Sequence, residues 1–186
     1  MTITPTEFPE VLLIRSDAYE DNRGWFMESF RRDLLGNAFG YTINFCQENQ
    51  SESYYGVIRG LHHQLPPAAQ SKLISVVHGN ILDVVVDVRK GSPNFGKHIT
   101  VELSSKNRKQ LFIPRGFAHG YSCLSEIARI TYLVDNYYNK ATEAGVAFDD
   151  PQLNIDWQLP ADKTILSRKD KCLPRFQAAK YFDYNQ

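Results

Sequence analysis

The sequence predicts an all-β sandwich or barrel, and three observations carry that prediction. Short segments rich in aliphatic and aromatic residues recur about every ten residues between Val11 and Val134. Turn-forming residues cluster between them, as in Asp21-Asn-Arg-Gly24, Gly91-Ser-Pro-Asn94 and Pro114-Arg-Gly116. The run from Lys72 to Val88 is dominated by β-branched residues and is broken only at His78-Gly-Asn80.

In chain order, Val11–Ile14 reads as a first strand. Asp21–Gly24 is a turn, and Trp25–Phe30 alternates like a strand. Phe30–Leu35 suits a short helix closed by Gly36-Asn37, and Asn44–Asn49 is extended. Gly56–Gln64 is a strand that leads through the Pro66-Pro67 loop to Lys72. Lys72–Val88 is expected to be a hairpin turning at Gly79-Asn80. Lys72 would then lie opposite Asp87, with Asp83 on the same face and Leu82, Val84, Val86 and Val88 on the other. A sheet with one apolar face and one such mixed face lines a cleft or meets water. Ile99–Leu103, Gln110–Ile113, Phe117–Leu124 and Ile130–Val134 continue as strands, the last three as a meander. After Tyr138 the chain reads as loops and short helical turns. One domain spanning 1–186 is expected, its core at about 40–140 with both terminal extensions packed on it.

Composition narrows the function classes. Lys+Arg and Asp+Glu number 21 each among 186 residues, so no global field recruits nucleic acid or an anionic membrane. The N-terminus lacks the basic-then-apolar order of a signal peptide, and no apolar run is long enough to span a bilayer. Cys46, Cys123 and Cys172 are far apart and without metal or redox spacing, which fits a reducing cytoplasm.

The chemistry concentrates at Gly56-Val-Ile-Arg-Gly-Leu-His-His-Gln64 and Gln70-Ser-Lys-Leu73. A strand that only fills a core does not need Arg59, His62, His63 and Lys72 so close together. Ionisable groups on a buried or cleft-facing strand are costly unless paired, which marks a candidate site. Histidine titrates near neutrality and suits proton transfer.

Pro114-Arg-Gly-Phe-Ala-His119 resembles the second motif of the cupin barrel, so the fold is expected to be a cupin-like jelly roll with short peripheral helices. A cupin metal needs His-x-His with a Glu a few residues on. Here His62 and His63 are adjacent, and no Glu follows within a dozen residues, so no metal is expected.

Nine segments in one order extend the resemblance over nearly the whole chain. They are Asp21-Asn-Arg-Gly-Trp-Phe-Met-Glu28, Gln47-Glu-Asn49, Gly56–His62, Gln70–Leu73, Asp83-Val-Val-Val-Asp-Val-Arg89, Gly91–Gly96, Pro114–Gly120, Asn136-Tyr-Tyr138 and Ser167-Arg-Lys-Asp170. Together they resemble the dTDP-4-dehydrorhamnose 3,5-epimerase family, metal-free cupin-type homodimers acting on dTDP-4-keto-6-deoxy sugars. The resemblance implies His62 as base, Asp170 as its partner, Tyr138 as the opposing acid and Lys72 beside the 4-keto oxygen. It implies Arg59 and His119 at the diphosphate and sugar end. Arg23, Glu28, Gln47 and Asn49 would hold the nucleotide, some from the partner subunit. Arg59 and His62 fall on opposite faces of a regular strand, so a bulge at Gly60 is expected to bring them together. Three positions depart from the family pattern: His63 replaces Phe or Tyr, Tyr121 a frequent Phe, and Lys140 a Pro.

The implied reaction is self-consistent. A ketone at C4 acidifies the hydrogens at C3 and C5, because the carbanion left behind is an enolate. Inversion needs a base on one face, an acid on the other and a donor at the enolate oxygen. It requires no redox or organic cofactor. An epimerase of C3 or C5 alone, or a sugar-nucleotide-binding module without catalysis, would share much of the pattern.

Overall fold

The structure, a computed structural model of the chain, describes residues 1–39 and 42–184; the expected lower edge of the core near residue 40 lies outside them. The first strands, β1 (Thr2–Pro5) and β2 (Leu12–Arg15), pair with each other, and β3 (Ala18–Asp21) with β4 (Gly24–Met27) makes a separate hairpin. Helix α1 (Arg32–Phe39) follows, then β5 (Gln47–Tyr54), β6 (Ile58–Gln64), β7 (Lys72–His78), β8 (Asn80–Asp87) and the short β9 (Arg89–Lys90). Next come β10 (His98–Ser104), β11 (Lys109–Ile113), β12 (Phe117–Cys123), β13 (Ile127–Val134) and β14 (Glu143–Gly145). Helix α2 (Arg168–Lys171) and β15 (Phe182–Asp183) complete the chain.

Two sheets face each other. One is six-stranded in the order β1-β2-β11-β7-β13-β5; the other is five-stranded in the order β10-β8-β12-β6-β14. From β5 to β8, and again from β10 to β14, each successive strand crosses to the other sheet. That alternation is the jelly roll. It corrects two readings. Lys72–Val88 is not a hairpin: β7 and β8 lie in different sheets, and Gly79 turns the corner at φ +79°. A Cβ at Gly79 would sit 2.1 Å from the Ile127 carbonyl oxygen, so only glycine fits. Lys72 therefore pairs with Ile113 and Val134, not with Asp87. Asp87 instead accepts hydrogen bonds from Arg89 and Ser92. Likewise β11, β12 and β13 are not a meander, because β12 sits in the opposite sheet from its neighbours in sequence.

The core has three parts. Ile74, Val76, Ile81, Val85, Leu111, Ile113, Phe117 and Ile130 meet between the sheets. The outer face of β8, with Leu82, Val84 and Val86, is covered by Leu153, Trp157 and Phe176 of the C-terminal segment. Helix α1 covers the outer face of the other sheet: Leu35 is buried there and Phe39 stacks on Phe112 at 3.9 Å between centroids. The helix runs through Gly36-Asn37 rather than stopping at Leu35, since this docking outweighs the roughly 1 kcal/mol a helical glycine costs. Among the described residues no helix is long and apolar enough to cross a membrane.

The expected bulge is present. On β6 and β12, His62 pairs with His119 and Arg59 with Tyr121, so three steps along one strand match two along the other. The extra residue lies at Gly60–Leu61, where Gly60 takes φ +125°. Leu61 turns outward into the C-terminal core, while Arg59 and His62 both face the space between the sheets.

Candidate active site

One end of the space between the sheets is left open as a cavity of about 500 Å³. Strands β5, β7 and β13 form one wall and β6, β12 and β14 the other, with α2 at the rim. Every site residue expected from sequence lines this cavity except Arg23 and Glu28.

His62 Nε2 lies 2.6 Å from Asp170 Oδ1. Asp170 stands in α2, which Ser167 caps: the Ser167 hydroxyl accepts the Asp170 backbone N–H at 3.0 Å and donates to Asp170 Oδ2 at 2.8 Å. Burial pushes the Asp170 carboxyl up. The hydrogen bond and charge of His62, together with Ser167, outweigh that and hold it below the usual carboxylate range. A second pair lies deeper, where His119 Nε2 meets the fully buried Asp83 at 2.9 Å. Burial lowers the His119 pKa. Lys72 enters from the opposite wall and donates to the His62 backbone carbonyl at 3.4 Å. Burial lowers its pKa to about 8, against the opposing pull of Asp83 and Glu143.

Arg59 is held in place by neutral groups. Its Nε donates to Ser53 Oγ at 3.0 Å and its guanidinium to the Glu52 carbonyl at 3.0 Å. Ser53 and Ser51 also bond the Tyr121 hydroxyl, at 3.0 and 3.1 Å. The hydroxyl that this chain has at position 121 thus joins the network that orients Arg59. Gln47 and Asn49 bond each other at 2.7 Å on the same strand, β5.

Besides Tyr121, two tyrosines line the cavity in different ways. Tyr138 is 52% exposed, and its hydroxyl donates to Glu143 Oε2 at 3.0 Å. Glu143 also pairs with Lys169. Because Glu143 belongs to β14, which pairs with β6, Tyr138 is tied to the same wall as His62. Tyr132 projects from β13 on the opposite wall, and burial raises its pKa. Sequence alone gives no reason to single out Tyr132, Glu143 or Lys169. Tyr132 shares a strand face with Ile130 and reads as core, Glu143 lies where no strand pattern is visible, and Lys169 is one charge in a charged run.

Arg23 and Glu28 lie outside the cavity of their own chain. Arg23 forms an exposed ion pair with Asp21 at 2.6 Å, and Glu28 pairs with Arg31 at 3.3 Å. Among the described residues no group of three or more His, Cys, Asp or Glu is arranged to hold a metal ion. Of the three histidines that line the cavity, His62 and His119 are each engaged by a carboxylate and His63 by the Lys180 carbonyl.

The family model for dTDP-4-dehydrorhamnose 3,5-epimerase matches residues 5–178. The chain belongs to this family. A relative from Shigella flexneri with the family's name is 45% identical over 98% of this chain and 99% of its own length. A solved structure from Legionella pneumophila, a dTDP-6-deoxy-D-glucose-3,5-epimerase in complex with dTDP-4-keto-L-rhamnose, superposes with a TM-score of 0.94. It shares 40% identity, with 98% of each chain covered. A more distant relative from Streptomyces niveus, a dTDP-4-dehydrorhamnose 3-epimerase, is 35% identical over 92% of this chain and 82% of its own.

His63 also lines the cavity. It follows His62 on β6, is 3% exposed, and its Nε2 lies 2.9 Å from the Lys180 carbonyl oxygen. Its ring sits 5.8 Å from Phe182. The ring thus fills the place of an apolar aromatic and fastens the C-terminal segment. Lys140 begins an exposed helical turn over Lys140–Thr142.

Proposed function

We propose that this protein converts dTDP-4-dehydro-6-deoxy-D-glucose to dTDP-4-dehydro-L-rhamnose by inverting C3 and C5. The observation that carries the proposal is a cavity with His62 on one sheet, paired with Asp170 of α2, and the half-buried Tyr132 on the other sheet. His62 takes the proton next to the ketone, and Asp170 fixes the ring tautomer and stabilises the imidazolium. Lys72 stands by the enolate oxygen, where a positive charge lowers the barrier most. The acid must reach the face opposite His62. Tyr132 fits this better than Tyr138, because it projects from the facing sheet, whereas Tyr138 hangs on Glu143 beside β6. Tyr138 then closes the mouth of the site, and His119 and Arg59 serve the sugar and diphosphate end. The scheme calls on no metal, redox or organic cofactor.

Gln47 and Asn49 face the nucleotide, and Arg23 and Glu28 complete its site from the partner of a homodimer. The free thiols Cys46, Cys123 and Cys172 suit a reducing cytoplasm. A second reading, inversion at C3 alone, is favoured by the relative named as a 3-epimerase. Incubation with the 4-keto sugar nucleotide in deuterated water separates the two. Deuterium at both C3 and C5 with the L-rhamno product is the expected result. Label at C3 alone selects the second reading, and no label at either carbon overturns both.

A further inference from the structure

We propose that Ser167 is a positioning residue for the His62–Asp170 pair, acting through a hydroxyl–carboxylate hydrogen bond that is separable from its helix-capping role. The inference rests on His62 being the base.

An N-cap serine bonds the backbone N–H three residues on, and the acidic residue there normally reaches back to the N-cap amide. The first half of that arrangement is present, since Ser167 Oγ accepts from Asp170 N at 3.0 Å. The second half is diverted. Asp170 Oδ1 lies 2.6 Å from His62 Nε2, and Oδ2 accepts the Ser167 hydroxyl proton at 2.8 Å. One serine hydroxyl therefore binds both the backbone and the side chain of a single aspartate.

The consequence follows from carboxylate geometry. The terminal torsion of aspartate is broad, so one hydrogen bond does not fix the plane of the group. Helix α2 is only four residues long and contributes little order of its own. Its end is seated at Leu173, whose side chain lies over Gly145, the residue paired with His62 on β14. That seating fixes the backbone of Asp170 but leaves its carboxylate free to turn. The Ser167 hydroxyl supplies the second anchor, which leaves Oδ1 aimed at the imidazole through the proton transfer.

The test compares Ser167→Gly and Ser167→Thr with wild type by steady-state kinetics, solvent-deuterium exchange at C3 and C5, and thermal melting. Glycine is an accepted N-cap, so Ser167→Gly removes the hydroxyl with little loss of helix stability. The expected result is a kcat lowered ~10- to 100-fold with KM within about twofold, the signature of misorientation in the chemical step. Threonine keeps the hydroxyl and should restore kcat. In an Asp170→Asn background, Ser167→Gly should lower kcat no further, because the two residues act as a unit. A wild-type kcat in Ser167→Gly, or independent losses in the double variant, overturns the role of Ser167 while leaving His62 as the base. A wild-type protein that exchanges no deuterium overturns that reading, and this one with it.

Discussion

His63 and His62 are adjacent in sequence, and a one-residue step on a strand gives them unrelated work. His62 meets a carboxylate in the cavity, whereas His63 lies under Phe182, and burial lowers its pKa to about 4. Lys72 and His62 push in the same direction, and the Lys180 carbonyl opposes them without prevailing. The sign of the stability effect follows. The unfolded chain protonates His63 below its ordinary value near 6.5, while the folded chain resists until about 4. Stability from this residue is therefore full above that ordinary value and is lost as pH falls toward the folded one, by on the order of 3 kcal/mol. His63→Phe should flatten the acid side of a plot of denaturation midpoint against pH. An unchanged slope would remove His63 from the account. Tyrosines 132 and 138 differ in the same manner, by wall rather than by type. Tyr132→Phe should cut inversion by ~10²–10⁴ while deuterium exchange falls less, because His62 can still remove and return a proton on one face. Tyr138→Phe should raise KM more than it lowers kcat. The reverse pattern would return the acid role to Tyr138, where the family resemblance of the sequence puts it.

Strand β6 shows how far sequence reasoning about an element reaches. Arg59 and His62 can share a site only if an extra residue intervenes, and Gly60 is the one residue between them able to supply it. The bulge could be read for that reason. The price of fitting it is that position 60 accepts nothing larger: a Cβ there would lie 2.6 Å from Gly120 Cα and 2.8 Å from the His119 carbonyl oxygen, at φ +125°. Gly60→Ala should lower stability by more than the roughly 1–3 kcal/mol of backbone strain alone, since β12 must also move. Turnover should fall with it, as His119 pairs directly with His62. A variant melting and turning over like wild type would show that the bulge does not set the site. The corner at Gly79 was not legible for an equally physical reason. β7 and β8 bury residues on both faces, so their alternation looks the same whether they pair with each other or cross between sheets. Long-range partners decide between the two, and those lie at Ile113, Val134 and Tyr121. Tyr132 was hidden by the same ambiguity, as a tyrosine on an apolar strand face reads as core until the cavity beside it is seen.

At the scale of the whole molecule, hairpin β3–β4 is the part that one chain leaves unexplained. It pairs with neither large sheet and exposes Tyr19, Trp25 and Phe26 at 68%, 54% and 68%. Trp25 is touched by Arg108, whose guanidinium lies 4.7 Å from its ring centroid. Exposed aromatics grouped on one arm mark a surface that another molecule covers. On the cavity side, Gln47 and Asn49 stand on β5, the last strand of the six-stranded sheet, whose outer edge is open to an added strand. A two-fold pair in which each hairpin reaches the other chain's β5 would cover the aromatics and bring Arg23 and Glu28 to the nucleotide end of the partner's cavity. Such an exchange predicts complementation between two inactive variants. His62→Ala lacks the base but keeps an intact arm, and Arg23→Ala with Glu28→Ala lacks the arm but keeps an intact cavity. Co-expressed with separate tags and purified through both, a mixed dimer contains one complete site out of two. Turnover should return to roughly half of wild type per mixed dimer, as closed two-fold symmetry requires, while each parent stays inactive. Mixed dimers as inactive as their parents would place the arm and the cavity it serves on the same chain. A fully active monomer in sedimentation at micromolar concentration would dispose of the exchange altogether.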